Sequence, residues 1–361
     1  MAERRATTTG MLAGTGSTNG GTHAPGRTAE RPPSIADVAR FAGVSLQTVS
    51  RVVNDHPSVR DITRSRVLAA IEQLGYRPNP AARALASGRS KTLGVVALGT
   101  NYYGPASTLL GIEAAAQAHG YFVSVTAVHN LDRQSVRQAL RRLTSQSVEG
   151  LAVIAPYTSA HEVVSSLPRG FPAVVVEGNP NGHVPVVSVD QALGARLATE
   201  HLLAQGRGEV FHVAGPDNWL DAQLRTEAWM GVLREAGLTV NPPIVGDWTA
   251  RSGYEAGQLL AQVPNARAIF AANDPMALGL LLALQERGRR VPDDVAVVGF
   301  DDTPESAFFL PPLTTVRQDF ERAGQVAVQV LMEQLAGTGT PDQQLIPPTL
   351  VVRQSTVPTA S

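Results

Sequence analysis

The residues best suited to chemistry in this sequence are not those of an enzyme. Cysteine is absent, which excludes thiolate nucleophiles, disulfides and thiolate metal sites, and the eight histidines are scattered with no paired spacing that would hold a metal. The informative stretch is Ser45-Leu46-Gln47-Thr48-Val49-Ser50-Arg51. Read as a helix, it turns Val49, Val52 and Val53 to one face and leaves Leu46, Gln47, Ser50 and Arg51 pointing outward. A glutamine can bond adenine N6 and N7 together and an arginine guanine O6 and N7, each pair worth about 1–3 kcal/mol of discrimination between bases. A leucine in the same row can touch a thymine methyl. The plain alternative is a small helical adaptor with a solvated polar face.

Three short helices must carry that row. Ser34, followed three residues on by Asp37, forms a capping box ahead of an apolar face made by Ile35, Val38, Ala39 and Ala42, and Gly43 ends the helix. Ser45 caps a second helix from Leu46 to Val53. A third spans Asp61 to Leu74, with Val67, Leu68, Ile71 and Leu74 inward and Gly75 as its stop. Two helices joined by Ala42-Gly43-Val44 have the size and turn of a helix-turn-helix, whose second helix fits the major groove. Charge agrees with a polyanion at this end alone: residues 1–90 hold 12 arginines against 6 acids, whereas the remainder is acidic and the whole chain has a net charge of −1. Ala81–Ser87 is a helix-prone stretch of about two turns, too short to be stable by itself in water.

Beyond Lys91 the pattern changes to buried strands alternating with amphipathic helices. Strands are expected at Leu93–Leu98, Tyr121–Ala127, Gly150–Ala155, Ala173–Glu177, Glu209–Ala214, Arg267–Ala272 and Val295–Phe300. Such alternation gives parallel sheets covered by helices, and so long a segment divides economically into two α/β lobes with a cleft between them. Pro311-Pro312-Leu313 marks a return crossover, Asp319–Leu335 a helix and Gln344–Val352 one last strand. No apolar run is long enough to span a membrane, and the first 33 residues lack the apolar stretch of an export signal, so they are expected to be a disordered extension of a cytoplasmic protein.

Ile35-Ala36-Asp37-Val38-Ala39, Ala42-Gly43-Val44-Ser45, Thr48-Val49-Ser50-Arg51-Val52-Val53-Asn54 and Gly75-Tyr76-Arg77-Pro78-Asn79 resemble the headpiece of the LacI/GalR family of transcriptional regulators. The likeness continues through Ala214-Gly215-Pro216, Gly246-Asp247-Trp248, Ala272-Asn273-Asp274, Gly299-Phe300-Asp301-Asp302-Thr303 and Pro311 to Phe320, covering about residues 34–355. It implies a small all-α helix-turn-helix headpiece at 34–78, a hinge helix and linker at 79–91, and a two-lobed periplasmic-binding-protein-like α/β domain at 92–357 that binds an effector and dimerises. Ser45, Leu46, Gln47, Thr48, Ser50, Arg51 and Asn54 would then contact operator DNA. Ala82 and Leu85 would lie on a hinge helix that orders on DNA and wedges Leu85 into the minor groove. In the cleft, Arg225, Asn273 and Asp301 would anchor a small effector, Trp248 would pack on a pyranose face, and Gln318 and Phe320 would form the rim.

Taken singly, Asn273 and Asp301 could equally cap helices and Trp248 could be core. A sugar-binding member of the family carries an acid where Leu193 stands, a serine where Asp221 stands and aliphatic residues at Tyr102-Tyr103, so the sugar itself stays open; Asp190 and the added aromatics are candidates for remade contacts. The implied protein is a homodimeric repressor with no cofactor, no metal and no catalytic residue, released from its operator by a sugar or glycoside. A repressor needing a purine-like corepressor and a sugar receptor without a DNA role are the alternatives. Asp301 and Asp302, being adjacent on a strand end, make a poor acid/base pair for a glycosidase.

Overall fold

Ser34 opens the first helix as its spacing requires. Its hydroxyl accepts the Asp37 amide at 3.3 Å while Asp37 Oδ2 accepts the Ser34 amide at 2.9 Å, so two amides that a helix start leaves unpaired are satisfied reciprocally. This helix, α1 (Ile35–Ala42), stops at Gly43, whose φ of 59° is left-handed. Next come α2 (Leu46–Val53), capped by Ser45, and α3 (Asp61–Leu74), closed by Gly75. Val38, Ala39, Ala42, Val49, Val52, Val67 and Ala70 make their shared core. Leu68, expected in that core, is instead 51 % exposed, because the inward face of α3 runs through Val67 and Ala70.

The computed structural model describes residues 31–54, 56–77, 88–128, 133–158, 170–178, 184–339 and 341–357. The chain forms two units, residues 1–82 and 83–361. Ala82 and Leu85, the extension before residue 31 and the expected hinge helix lie outside the described residues.

The second unit holds two six-stranded sheets. The first contains β1 (Thr92–Leu98), β2 (Phe122–Val128), β3 (Gly150–Ile154), β4 (Ala173–Val176), β5 (Val186–Val189) and β11 (Gln343–Ile346), in the order β11-β5-β4-β3-β1-β2 with every pairing parallel. It is flanked by α4 (Tyr103–Ala118), α5 (Arg133–Ser145) and α10 (Phe320–Leu335). The second sheet contains β6 (Val210–Ala214), β7 (Ile244–Val245), β8 (Ala268–Ala271), β9 (Ala296–Asp301), β10 (Thr314–Arg317) and β12 (Thr349–Val351), in the order β12-β10-β9-β8-β6-β7. Its helices are α6 (Gln191–Ala204), α7 (Leu220–Glu235), α8 (Ala250–Leu260) and α9 (Asp274–Glu286). Strands buried on both faces explain the unbroken apolar runs, such as the fully covered Ala268–Ala271.

Three expectations need correction. The single last strand is two strands in different lobes, because Pro347 and Pro348 offer no amide to continue a ladder. That second piece, β12, pairs antiparallel with β10, so the second sheet is not wholly parallel. The chain does not cross back at Pro311-Pro312-Leu313 either: Leu313 is buried in the second lobe, β10 follows, and the return comes after Gln318, with Asp319 capping α10. The lobes are thus joined at three places, near Asp190, Gln318 and Pro347. At the start of this unit, Glu149 accepts the Arg89 guanidinium at 2.9 Å, the Lys91 amide at 2.8 Å and the Tyr121 hydroxyl at 2.9 Å, which ties the incoming chain to the first lobe.

Candidate functional site

On α2, Leu46, Gln47 and Arg51 are exposed, with Leu46 53 % open to solvent. Among the described residues neither Gln47 nor Arg51 hydrogen-bonds to another side chain, so both forks are free to meet base edges. Ser45 and Thr48 join hydroxyls at 2.9 Å and Ser45 also caps the helix, which fixes where its first turn starts. Ser50 is half-buried, and Asn54 closes the helix through its amide on the Ser50 carbonyl. The outward row is presented rigidly because Val49 and Val52, on the opposite face, are buried.

Between the lobes lies a cavity of about 320 Å³. Arg225, Trp248, Asn273, Asp301, Gln318 and Phe320 all line it, although they come from five separate stretches of chain. Asn273 and Asp301 sit where β8 and β9 end, the position at which open α/β sheets bind ligands. Asn273 does cap α9, accepting the Met276 amide at 2.9 Å, but its amide nitrogen also donates to the Trp248 carbonyl at 3.1 Å. Trp248 is at once core and wall, packed on the second lobe and facing the cavity.

One polar circuit holds the centre. Arg225 Nε donates to Gln191 at 2.9 Å, Gln191 donates to Gln318 at 2.8 Å, and Gln318 donates to Asp301 at 2.7 Å. Arg225 Nη1 lies 3.9 Å from Asp301 and also donates to the Ala272 carbonyl, while the guanidinium rests 3.9 Å over the Phe300 ring. Gln318 stands just before the crossing that follows β10 and Gln191 just after the crossing that follows β5, so this circuit ties together two of the three inter-lobe connections.

Carboxylates outnumber cations here. Burial raises Asp301 to about 7 against the pull of Arg225, and raises Asp221 to about 6. Glu177, also in the wall, is pushed well up by burial and by Asp221; its Oε1 accepts the Val189 amide at 3.3 Å, while Oε2 is buried with no partner. Backbone conformations unusual for side-chain-bearing residues cluster here: Glu177, Trp248 and Asp301 have φ of 55°, 71° and 110°.

Aromatic rings complete the wall, and glycines make room for them. A Cβ on Gly215 would fall 2.1 Å from the Trp248 ring, one on Gly104 3.1 Å from Phe320 and one on Gly99 3.2 Å from Trp219. Trp219 meets Tyr102 at 5.0 Å and Trp248 at 5.6 Å between ring centres, both edge to face. Backbone bonds close the lobes beside it, from the Leu220 amide to the Pro156 carbonyl at 2.9 Å and from Thr158 to Asn218 at 3.1 Å.

Sequence reasoning missed Glu177 and Trp219. Glu177 follows a parallel strand, β4, just as Asp301 ends one, so the rule that flagged Asp301 could have found it. Trp219 precedes α7 in a loop and carried no comparable signal. Leu193 and Asp190 do not line the cavity: Asp190 caps α6 by accepting the Leu193 amide at 2.9 Å, whereas Tyr102, Tyr103 and Asp221 are in the wall.

Comparison with known proteins gives the family. Residues 34–79 match the profile of bacterial regulatory proteins of the lacI family, and residues 199–356 match a periplasmic binding protein-like domain. The lactose operon repressor of Escherichia coli K12 is 35 % identical over 329 residues, covering 91 % of each chain. The chain belongs to the lacI family. It is a DNA-binding transcriptional repressor with a helix-turn-helix headpiece and a two-lobed α/β domain. Other lacI-family relatives include the repressor PurR of Haemophilus influenzae Rd, 35 % identical with coverage of 89 % of this chain and 98 % of that one, and the ribose operon repressor of Escherichia coli K12 at 31 %. Among solved structures, a lac repressor dimer bound to operator and the anti-inducer ONPF matches with a TM-score of 0.81 and 35 % identity, covering 90 % of this chain and 99 % of that one. A complex of the regulator CelR with cellobiose matches over 90 % of this chain and 99 % of that one at a TM-score of 0.65 and 30 % identity. Among the described residues, no helix is long and apolar enough to cross a membrane.

Proposed function

We propose that this repressor is a homodimer that reads a near-palindromic operator with α2 and is released from it by a small sugar or glycoside bound between the lobes. The observation that carries the effector half of this reading is the polar circuit from Arg225 to Asp301 beside Trp248. It joins acceptors and donors for ring hydroxyls to an indole face for the C–H side of a sugar, and it involves residues at two inter-lobe crossings. A ligand bridging those residues favours one lobe orientation, and a tenfold loss of operator affinity requires only about 1.4 kcal/mol of preference for the form that holds DNA weakly. In this reading Ser45, Leu46, Gln47, Thr48, Ser50, Arg51 and Asn54 face DNA, and Leu85, with Ala82 one turn before it, supplies a minor-groove wedge.

Dimerisation is supported by apolar side chains left on the surface. On the second lobe Leu278, Leu282, Phe308 and Leu310 are 44–85 % exposed around the α8 and α9 pair. On the first, Leu110, Phe122 and Val125 are exposed as well. A twofold axis would cover both sets and place two headpieces on two half-sites.

The test is operator binding, followed by fluorescence anisotropy on DNA from the gene's own upstream region, across mono- and disaccharides and purine bases. Release by a sugar is expected, with Arg225→Ala and Asp301→Ala retaining operator affinity but losing the response. Tightening by a purine base would replace this reading with a corepressor mechanism, and variants that respond like the parent would remove the cavity from it.

A further inference from the structure

The cavity offers more acceptors than a single guanidinium can answer. Glu177, Asp221 and Asp301 all line it, against Arg225 as the one cation in the wall among the described residues. Arg225 already donates to Gln191 and Ala272. Glu177 is 2 % exposed with Oε2 unpartnered, and beside it stands Asp221, half-buried in the same wall. A buried carboxylate without donors is costly to hold ionised, so with no ligand bound it keeps a proton, whereas a ligand bringing donors and a positive charge stabilises the ionised form. No group of three or more acids and histidines among the described residues is arranged to hold a metal ion, which makes an organic cation the better complement. The rings of Tyr102, Trp219 and Trp248 line the same space, and aromatic faces attract ammonium groups.

We propose that the effector is an amino sugar, a hydroxylated ring bearing a protonated amine that lies against Asp221 and Glu177. This rests on the sugar-effector reading and narrows it. The ring hydroxyls meet Asp301, Arg225 and Asn273, while the amine supplies donors to Glu177 Oε2 and Asp221. Asp221 faces Glu177 and Arg225. Asp301 faces Arg225, Asp221, Gln318 and, behind it, Asp274, which is itself satisfied by Ser306, Thr315 and the Thr303 amide; Tyr103 and Asp302 lie close by, the latter paired with Arg317 and Arg353. His212 sits behind Arg225, buried and neutral, with burial lowering it to about 4. A cation in the cavity favours ionised Asp221 and Glu177, so its advantage shrinks as acid protonates them.

Calorimetric titration of the full-length protein with matched pairs tests this: glucosamine, galactosamine and 6-amino-6-deoxyglucose beside glucose and galactose, and the diamine of cellobiose beside cellobiose. At about pH 7 at least one amine is expected to bind tenfold or more tightly than its hydroxyl twin, with the preference falling as pH drops towards 5. Asp221→Asn, close in size, should erase the preference, bringing amine and hydroxyl twin to within about threefold of each other. An equal or stronger neutral twin, or no binding by any amine, overturns the inference, in the first case leaving the sugar reading intact. Binding by a purine base with none by any sugar overturns both.

Discussion

At Asp301 a carboxylate is buried beside Arg225, yet desolvation outweighs that attraction and its proton is held up to about 7. The folded chain therefore binds this proton more tightly than the unfolded chain does. Its contribution to stability falls as pH rises from about 4 to about 7. Asp301→Asn keeps the shape and an acceptor for Gln318 but cannot ionise. Thermal melts without effector should show the variant's melting temperature minus the parent's increasing as pH rises and levelling off above about pH 8; a difference that decreases with pH would mean Asp301 is ionised and well paired. At the other end of the chain, Gln47→Ala or Arg51→Ala should each cost about 1–3 kcal/mol at particular operator positions and relax preference there. Equal losses on operator and random DNA would assign them to phosphate contact. The outward placement of these two was legible because helical period alone separates them from Val49 and Val52. Glu177 was legible by its strand end yet passed over, and Trp219 was not legible, since its contacts depend on how a loop from one lobe meets the other.

Helix packing in the second lobe depends on glycines. A Cβ on Gly279 would fall 1.8 Å from the Ala250 carbonyl oxygen, and one on Gly253 2.0 Å from that of Met276, so α8 and α9 touch backbone to backbone. Gly279→Ala should destabilise the domain by at least about 2 kcal/mol in denaturant unfolding, because neither backbone can yield cheaply. Gly231, on α7, has open space where a methyl would project, with nothing within 4 Å, so Gly231→Ala should instead stabilise by up to about 1 kcal/mol. Similar losses from both would contradict the close crossing. Helix ends were readable from Ser34, Gly43, Ser45 and Gly75, where cap chemistry is local. Short strands such as β5 and β7, and the split of the last strand, were not, because membership in a sheet is decided by partners that lie far away in the chain, as β11 does from β5.

For the molecule as a whole, the apolar patch at Leu278, Leu282, Phe308 and Leu310 predicts that Leu282→Glu together with Phe308→Asp yields monomers in sedimentation and weakens operator binding by more than tenfold, with the far-ultraviolet spectrum unchanged. Dimers surviving that double change would move the interface elsewhere. The two-lobed plan was visible from strand and helix alternation, but the weaving of the chain between lobes was not. That weaving has a consequence for biosynthesis. Phe320, Ala323, Val326 and Ala327 of α10 fill the core of the first lobe, and β11 supplies an outer strand of its sheet. On the ribosome, therefore, the first lobe must wait for residues 320–346 before it can close, and a nonsense mutation near residue 315 would unravel it even though β1 to β5 had already been made.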